Sequence, residues 1–390
     1  MVVRPLLDRD GAARVRSYGI LSTFPPTPCG IATFSAALAA GLVAHGATVD
    51  VVRCGAGEEV EDPSVVAVLG ARGPEGTQPA VDALNRVDVA IVQHEYGIYG
   101  GRDGARVLDV LAALSVPCVV VAHTVVSDPT AHQRFVLESV CDEADAVVVM
   151  TEHARLRLVQ DYDVDGDRVS VIPHGATTPP PGLDEVTAVR LSDRLRLLTW
   201  GLLGPGKGIE WAIDAMALLA DVRPRPKYLV AGTTHPKVRA RDGEAYREML
   251  IRRCWHSGAA RSVSFDDTYR DLPALTQLIG ASDLVVLPYD SDDQVTSGVL
   301  VDAVACGRPV IATAFPHAIE LLASGAGIVV PQRDANALAD VVRGLIAEPD
   351  ELARMAAECR RLAPELSWPS VARRYDDLAA SLFVAGEVRA

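Results

Sequence analysis

Apolar runs of strand length recur along this chain, each followed by a polar, often glycine-bearing loop and then a stretch of helical spacing. In the first half, Ser17–Ser22, Thr48–Arg53, Val87–Gln93, Pro117–Ala122, Asp145–Met150 and Arg168–Pro173 read as strands. Ile31–His45, residues 103–114 and Glu152–Tyr162 read as helices between them. The alternation restarts after residue 190. Leu195–Gly201, Lys227–Gly232, Ser262–Phe265, Asp283–Tyr289 and Val310–Ala312 are the expected strands. Ile209–Ala220 and Gly298–Ala305 are expected helices, the stretch to about 363 reads as helical, and a last helix is expected over Val371–Phe383. Two series of alternating strand and helix imply an α/β chain of two Rossmann-like domains.

The break between the series is marked by composition. Thr177-Thr178-Pro179-Pro180-Pro181-Gly182 is a proline-rich linker that packs neither as strand nor as helix. The expected domains are residues 1–185, then 186–366, with 367–390 as a terminal helix. Residues 1–16 read as a loose arm without a long apolar segment, so no signal peptide is expected. The whole chain of 390 residues is 49% hydrophobic and 23% charged, the balance of a soluble globular protein. Its net charge of −14 opposes nucleic-acid binding and allows at most peripheral membrane contact through a local basic patch. No run of about 18 apolar residues offers a membrane span. The seven cysteines, at 29, 54, 118, 141, 254, 306 and 359, are dispersed and odd in number, which fits free thiols and a cytoplasmic setting. Only Cys29, in a Pro/Gly loop, is expected at the surface.

Candidate chemistry gathers just past the carboxyl ends of the apolar runs, where open α/β sheets bind ligands. Past Val87–Gln93 come Glu95, Tyr96 and Tyr99; past Pro117–Ala122 comes His123. The loop Thr23–Gly30 precedes a helix, and Gly30 would let backbone amides approach a ligand. In the second half, Gly204 and Lys207 sit between glycines after a strand, and Thr234 follows the next one. Thr296 or Ser297 is the expected N-cap of the helix starting at Gly298, because a short hydroxyl accepts from first-turn amides. The amides of Ser297, Gly298 and Val299 then offer a positive helix end to an anion. Gln294 and Asp302 flank it. Asp290-Ser291-Asp292 reads as an acidic loop rather than a metal site, and no metal is expected. No G-x-G-x-x-G dinucleotide fingerprint is present.

The stretch VDAVACGRPVIAT, residues 301–313, resembles the carboxyl-half signature of retaining two-domain (GT-B) glycosyltransferases of the family 4 type, the glycosyl transferases group 1. In that family an acidic residue and, eight positions on, a glutamate precede a small-residue-Gly-(Lys/Arg)-Pro-Val turn. Asp302 stands at the second acidic position and Gln294 at the first. The loop ending Lys207-Gly208 resembles the family's Gly-Arg-x-x-x-x-Lys-Gly loop, with Leu202 where the arginine usually is. The resemblance implies two domains whose parallel sheets face a cleft. It implies a nucleotide-diphosphate sugar as donor substrate, no required cofactor, and a terminal helix returning to the first domain. Gly30, Gly204, Lys207, Thr234, Tyr269, Ser297, Gly298, Val299 and Asp302 are then donor-binding. His123, Lys207 and Gln294 are catalytic, and Glu95, Tyr96 and Tyr99 face the acceptor. A second phosphate cation would come from Lys237, Arg239 or Arg241, and Asp292, Asp293 or Glu320 could stand in for the missing glutamate.

The expected activity is retaining transfer of a hexosyl group, from a GDP-mannose or UDP-glucose type donor, to a glycan or small hydroxylated acceptor. Two other readings stand beside it. Leu202 and Gln294 would suit a catalytically silent protein that binds nucleotide or glycan, and the architecture would also suit a sugar-nucleotide epimerase.

Overall fold

The computed structural model describes residues 16–27, 29–55, 62–70, 76–179, 194–268, 270–290 and 294–389. It divides into two units: Met1–Gly175 together with Trp368–Ala390, and Ala176–Ser367. The expected boundary at 185 lies in the 180–193 segment, outside the described residues.

The first unit carries a seven-stranded, wholly parallel sheet in the order β3-β2-β1-β4-β5-β6-β7. These strands are β1 Ser17–Ser22, β2 Thr48–Cys54, β3 Val65–Leu69, β4 Val89–His94, β5 Cys118–Ala122, β6 Ala146–Val149 and β7 Val169–Val171. β4, β5 and β6 are buried along their full length, as expected for parallel strands covered on both faces. Edge strand β3 and the helix Thr77–Leu84 after it were not foreseen. The helix expected over 103–114 is a short 3₁₀ turn, Arg102–Gly104, and one helical turn and a half, Val107–Leu111.

The last helix, Trp368–Arg389, belongs to this unit. Its Val371, Ala372, Tyr375 and Ala379 share a core with Tyr18, Phe34, Leu38 and Leu42. The Trp368 ring meets Phe34 edge-on at 5.0 Å. Gly175 is required beneath that indole, since a Cβ there would lie 2.4 Å from the ring. Arg16 and Tyr18 both bond Asp376, tying the first strand to the last helix.

The second unit carries a six-stranded parallel sheet in the order β10-β9-β8-β11-β12-β13. The strands are β8 Arg196–Trp200, β9 Lys227–Ala231, β10 Val263–Asp266, β11 Leu284–Leu287, β12 Val310–Thr313 and β13 Gly327–Val330. In both sheets the order reverses between neighbours, at β1/β4 and at β8/β11. Such a switch point leaves a crevice at the carboxyl edge where ligands of doubly wound sheets bind. In the second unit the described residues that flank it are 201–208, 288–290 and 294–297. These are the stretches the sequence singled out.

Candidate functional site

Three close approaches hold the Gly201–Gly208 loop. On the β9 side, Leu203 N–H donates to Thr233 O and His235 N–H to Leu203 O, each at 2.8 Å. On the β11 side, Asp290 N–H donates to Gly206 O at 3.0 Å. Gly208 has φ +63°, and a Cβ there would stand 1.7 Å from Pro288 O, so only glycine allows the two loops to meet. Lys207, at the tip, lays its ammonium over the Tyr289 ring, 4.3 Å from the centroid. Tyr289 in turn stacks on Phe315 at 5.2 Å. Burial lowers the Lys207 pKa from its ordinary value, and the ring face offsets part of the lost hydration.

The facing loop ends in the helix Gly298–Ala305. Ser297 is its N-cap, its hydroxyl accepting from Leu300 N–H at 3.3 Å. Ser297's own amide is taken: it donates to His317 Nδ1 at 2.8 Å. The amides of Gly298 and Val299 have no protein acceptor among the described residues. They form the open positive end of the helix. His317 was not anticipated, since a histidine 20 positions downstream carries no local pattern; it comes from the next helix, Pro316–Leu322. It fixes the loop twice, its amide also reaching Gln294 O at 3.5 Å. Gln294 Nε2 donates to Thr296 O at 3.2 Å, so its amide braces its own loop.

Asp302 lies one turn into the helix, half-buried. Burial raises its pKa to about 7. No protein donor meets its carboxyl group among the described residues, so it is available to ligand hydroxyls. Two donor-binding candidates are enclosed by the protein. Thr234 is 4% exposed and its hydroxyl donates to Glu244, so it is spent within the protein. Gly204 is buried against Val238, whose Cγ2 would lie 3.1 Å from an added Cβ. Tyr269, Asp292 and Asp293 lie outside the described residues. Of the three cations proposed to replace the absent arginine, Arg239 pairs with Glu244 at 3.4 Å and Arg241 with Asp242 at 2.7 Å. Lys237 makes no ion pair among the described residues. His235 stands close enough to Lys207 and Lys237 that, after burial, their charges help lower its pKa. Asp290 is held by Trp211 Nε1 at 3.3 Å and Arg333 Nε at 3.4 Å. Glu320 is exposed on the helix Pro316–Leu322.

In the first unit, polar side chains cluster past β4, β5 and β7. His123 Nε2 meets Gln93 Oε1 at 2.6 Å, so the shared proton sits on Nε2 and Nδ1 is the free acceptor. Phe34 packs edge-on against His123 at 4.9 Å and against His174 at 5.1 Å. Burial, then the neighbouring His174 and His94, lower the His123 pKa to about 3; burial alone brings His94 to about 4. All three imidazoles are neutral near pH 7, His174 also falling to about 4. His94 is fully buried, and neither ring nitrogen has a partner among the described residues.

The acceptor candidates divide. Tyr99 is a correction: it is 7% exposed and its hydroxyl donates to Gln93 O at 2.6 Å, so it is a core residue. Tyr96 donates to Gln133 O at 3.3 Å, and Glu95 accepts from Gly97 N–H at 2.8 Å. Gly30 opens its helix with no protein atom within 4 Å of an added Cβ. Cys29 rather than a hydroxyl residue caps that helix, its sulfur accepting from Ala32 N–H at 3.4 Å. All seven cysteines are free and six are buried. Among the described residues no group of three or more His, Cys, Asp or Glu is placed to hold a metal, and no helix is long and apolar enough to cross a membrane.

The family model described as Glycosyltransferase Family 4 matches residues 28–178, and that described as Glycosyl transferases group 1 matches residues 194–348. The chain therefore belongs to the group 1 glycosyltransferases of the family 4 type. Among curated proteins it is similar to the D-inositol 3-phosphate glycosyltransferase of Corynebacterium efficiens, 27% identical over 284 residues, which cover 67% of this chain and 65% of that one. The enzyme of the same name from Rhodococcus jostii is 30% identical over 66% of this chain and 59% of its own. The match thus spans less than two thirds of either relative. Among solved structures, Anabaena HepE in complex with UDP superposes with a TM-score of 0.72 at 18% identity, covering 94% of this chain and all (100%) of that one. Sucrose-phosphate synthase from Thermosynechococcus elongatus gives 0.71 at 19% identity, over 95% of this chain and 100% of that one. These likenesses establish the fold class as GT-B, with two Rossmann-like α/β domains.

Proposed function

We propose that the protein transfers a hexosyl group from a nucleotide-diphosphate sugar to a glycan or small hydroxylated acceptor, with retention at the anomeric carbon. One observation carries this reading. Lys207 and the open amides of Gly298 and Val299 stand on the two loops that flank the β8/β11 switch point of one sheet. A diphosphate leaving group gathers charge as the anomeric C–O bond breaks, and a fixed cation with two amides stabilises that charge without reorganising. Asp302 is suited to bind ribose hydroxyls. Lys237 supplies the second phosphate cation, being the candidate not already paired. His123 and Gln294 act on the reacting sugar, and Glu95 and Tyr96 serve the acceptor. The names of the curated relatives favour a phosphorylated polyol as acceptor, and the HepE complex favours a uridine nucleotide.

The test is incubation of the purified protein with UDP-glucose, GDP-mannose and related donors, with and without inositol phosphates and glycans. Free nucleoside diphosphate together with a glycosylated acceptor supports the proposal. A second reading, a silent binding protein, is favoured by Gln294, whose amide is committed to Thr296 O. Tight nucleotide binding with no turnover on any acceptor would establish that reading instead, and an isomerised donor would establish the epimerase.

A further inference from the structure

The helices Ile209–Leu218 and Ala245–Ser257 pack side by side and run against the strands, so both end at the amino edge of the second sheet, opposite the edge with the loops above. Apolar side chains stand exposed at these ends: Trp255 at 73%, Leu218 at 46% and Ile251 at 36%. Ile251 and Trp255, four residues apart, share one helix face, on the side away from Ile209–Leu218, which meets Arg253 through Asp214 and Trp211; single exposed apolar residues are ordinary, but a tryptophan this open is not.

The charge around them departs from the rest of the chain. In a protein of net charge −14, Arg223, Arg225 and Lys227 lead into β9 and Arg261 precedes β10. At this edge Arg223, Arg225, Lys227 and Arg261 make no ion pair among the described residues. Their hydrogen bonds run to main-chain carbonyls instead: Arg223 and Arg225 to Ala220 O, and Lys227 to Arg261 O at 2.6 Å. These contacts place three of the cations at the edge where the helix carrying Trp255 ends. The nearby Asp221 pairs with Arg343 and also feels the charge of Arg223.

We infer that this edge docks the protein on an anionic lipid surface. Tryptophan is suited to the headgroup region, its ring apolar and its N–H polar. Unpaired cations add attraction to an acidic leaflet that falls within a Debye length. Four cations without an ion pair among the described residues favour a lipid surface over an apolar protein partner, which would leave them unmatched.

The full-length protein is tested by sedimentation with vesicles of phosphatidylcholine alone and with about one third phosphatidylglycerol. Binding to the acidic vesicles alone is expected, weakening as salt rises, with a blue shift of tryptophan emission. Trp255→Ala abolishes the blue shift and Trp255→Phe retains binding. Arg223→Gln with Arg261→Gln lowers partitioning by about fivefold per charge. Because these side chains are exposed, circular dichroism and the melting temperature stay unchanged, which separates lost docking from lost folding. Equal binding to neutral and acidic vesicles, or none, overturns the inference. So does a mass that rises with protein concentration and falls with Trp255→Ala in the absence of lipid binding, which would make the patch a contact between copies of this chain.

Discussion

At the scale of single residues, the second unit's site rests on charge in partly dry surroundings. Lys207→Ala is expected to weaken donor diphosphate binding by about 1.5–3 kcal/mol, the range for hydrogen bonds to charged groups, as read by calorimetric titration with a nucleoside diphosphate. Unchanged affinity would remove the lysine from the phosphate site. Asp302 makes a signed pH prediction. Its carboxyl holds a proton up to about pH 7 in the folded protein, against about 3.9 unfolded. The folded state therefore binds more protons between those values, and this residue's contribution to stability declines as pH rises through them. Asp302→Asn should remove that decline and leave the protein more stable than wild type at pH 8 in urea unfolding. If Asp302 also meets the ribose, the same change weakens nucleotide binding more than acceptor binding. In the first unit, Gln93→Leu takes away the partner that fixes His123's tautomer. Turnover should fall with little change in donor affinity, and a mutant with unaltered kcat would show the pairing to be structural only.

At the scale of elements, one glycine decides how two loops meet. Gly208→Ala puts a methyl group into Pro288 O and asks alanine for a left-handed backbone. The expected loss is at least about 2 kcal/mol of stability, with donor affinity falling too, because Lys207 is the adjacent residue. Thermal melts and nucleotide titration check both. The strands that organise these loops were legible because parallel strands covered on both faces read as unbroken apolar runs; Val87–Gln93 and Leu195–Gly201 fall on β4 and β8. Edge strand β3 carries the same unbroken apolar pattern, VVAVL, although Val66 and Val68 face solvent at 49% and 43%. Ser297 as cap was readable from local chemistry. His317, which holds the same amide, was not, because its role depends on two successive strands placing their loops side by side. Tyr99 misled for a related reason: it follows a strand end like a ligand group, but its loop folds back and sends the ring inward.

At the scale of the molecule, three neutral histidines set the acid limit of the first unit. His94, His123 and His174 titrate near pH 4, 3 and 4 when folded but near 6.5 when unfolded. The unfolded state takes up protons first, so their contribution is complete above about pH 6.5 and is lost as pH falls toward 4. Urea unfolding should show an earlier transition for this unit at pH 5 than at pH 7, and coincident transitions at both would contradict it. The terminal helix belongs to the same unit, and Trp368→Ala should destabilise it by about 3 kcal/mol, read as a shift of that transition alone. This helix has a consequence for biosynthesis. Residues 176–367 leave the ribosome before the segment that completes the first unit's core. The middle of the polypeptide can reach its native state while the amino-terminal sheet still waits for its covering, and a nascent chain halted just after Ser367 would display Phe34, Leu38 and Leu42 to chaperones.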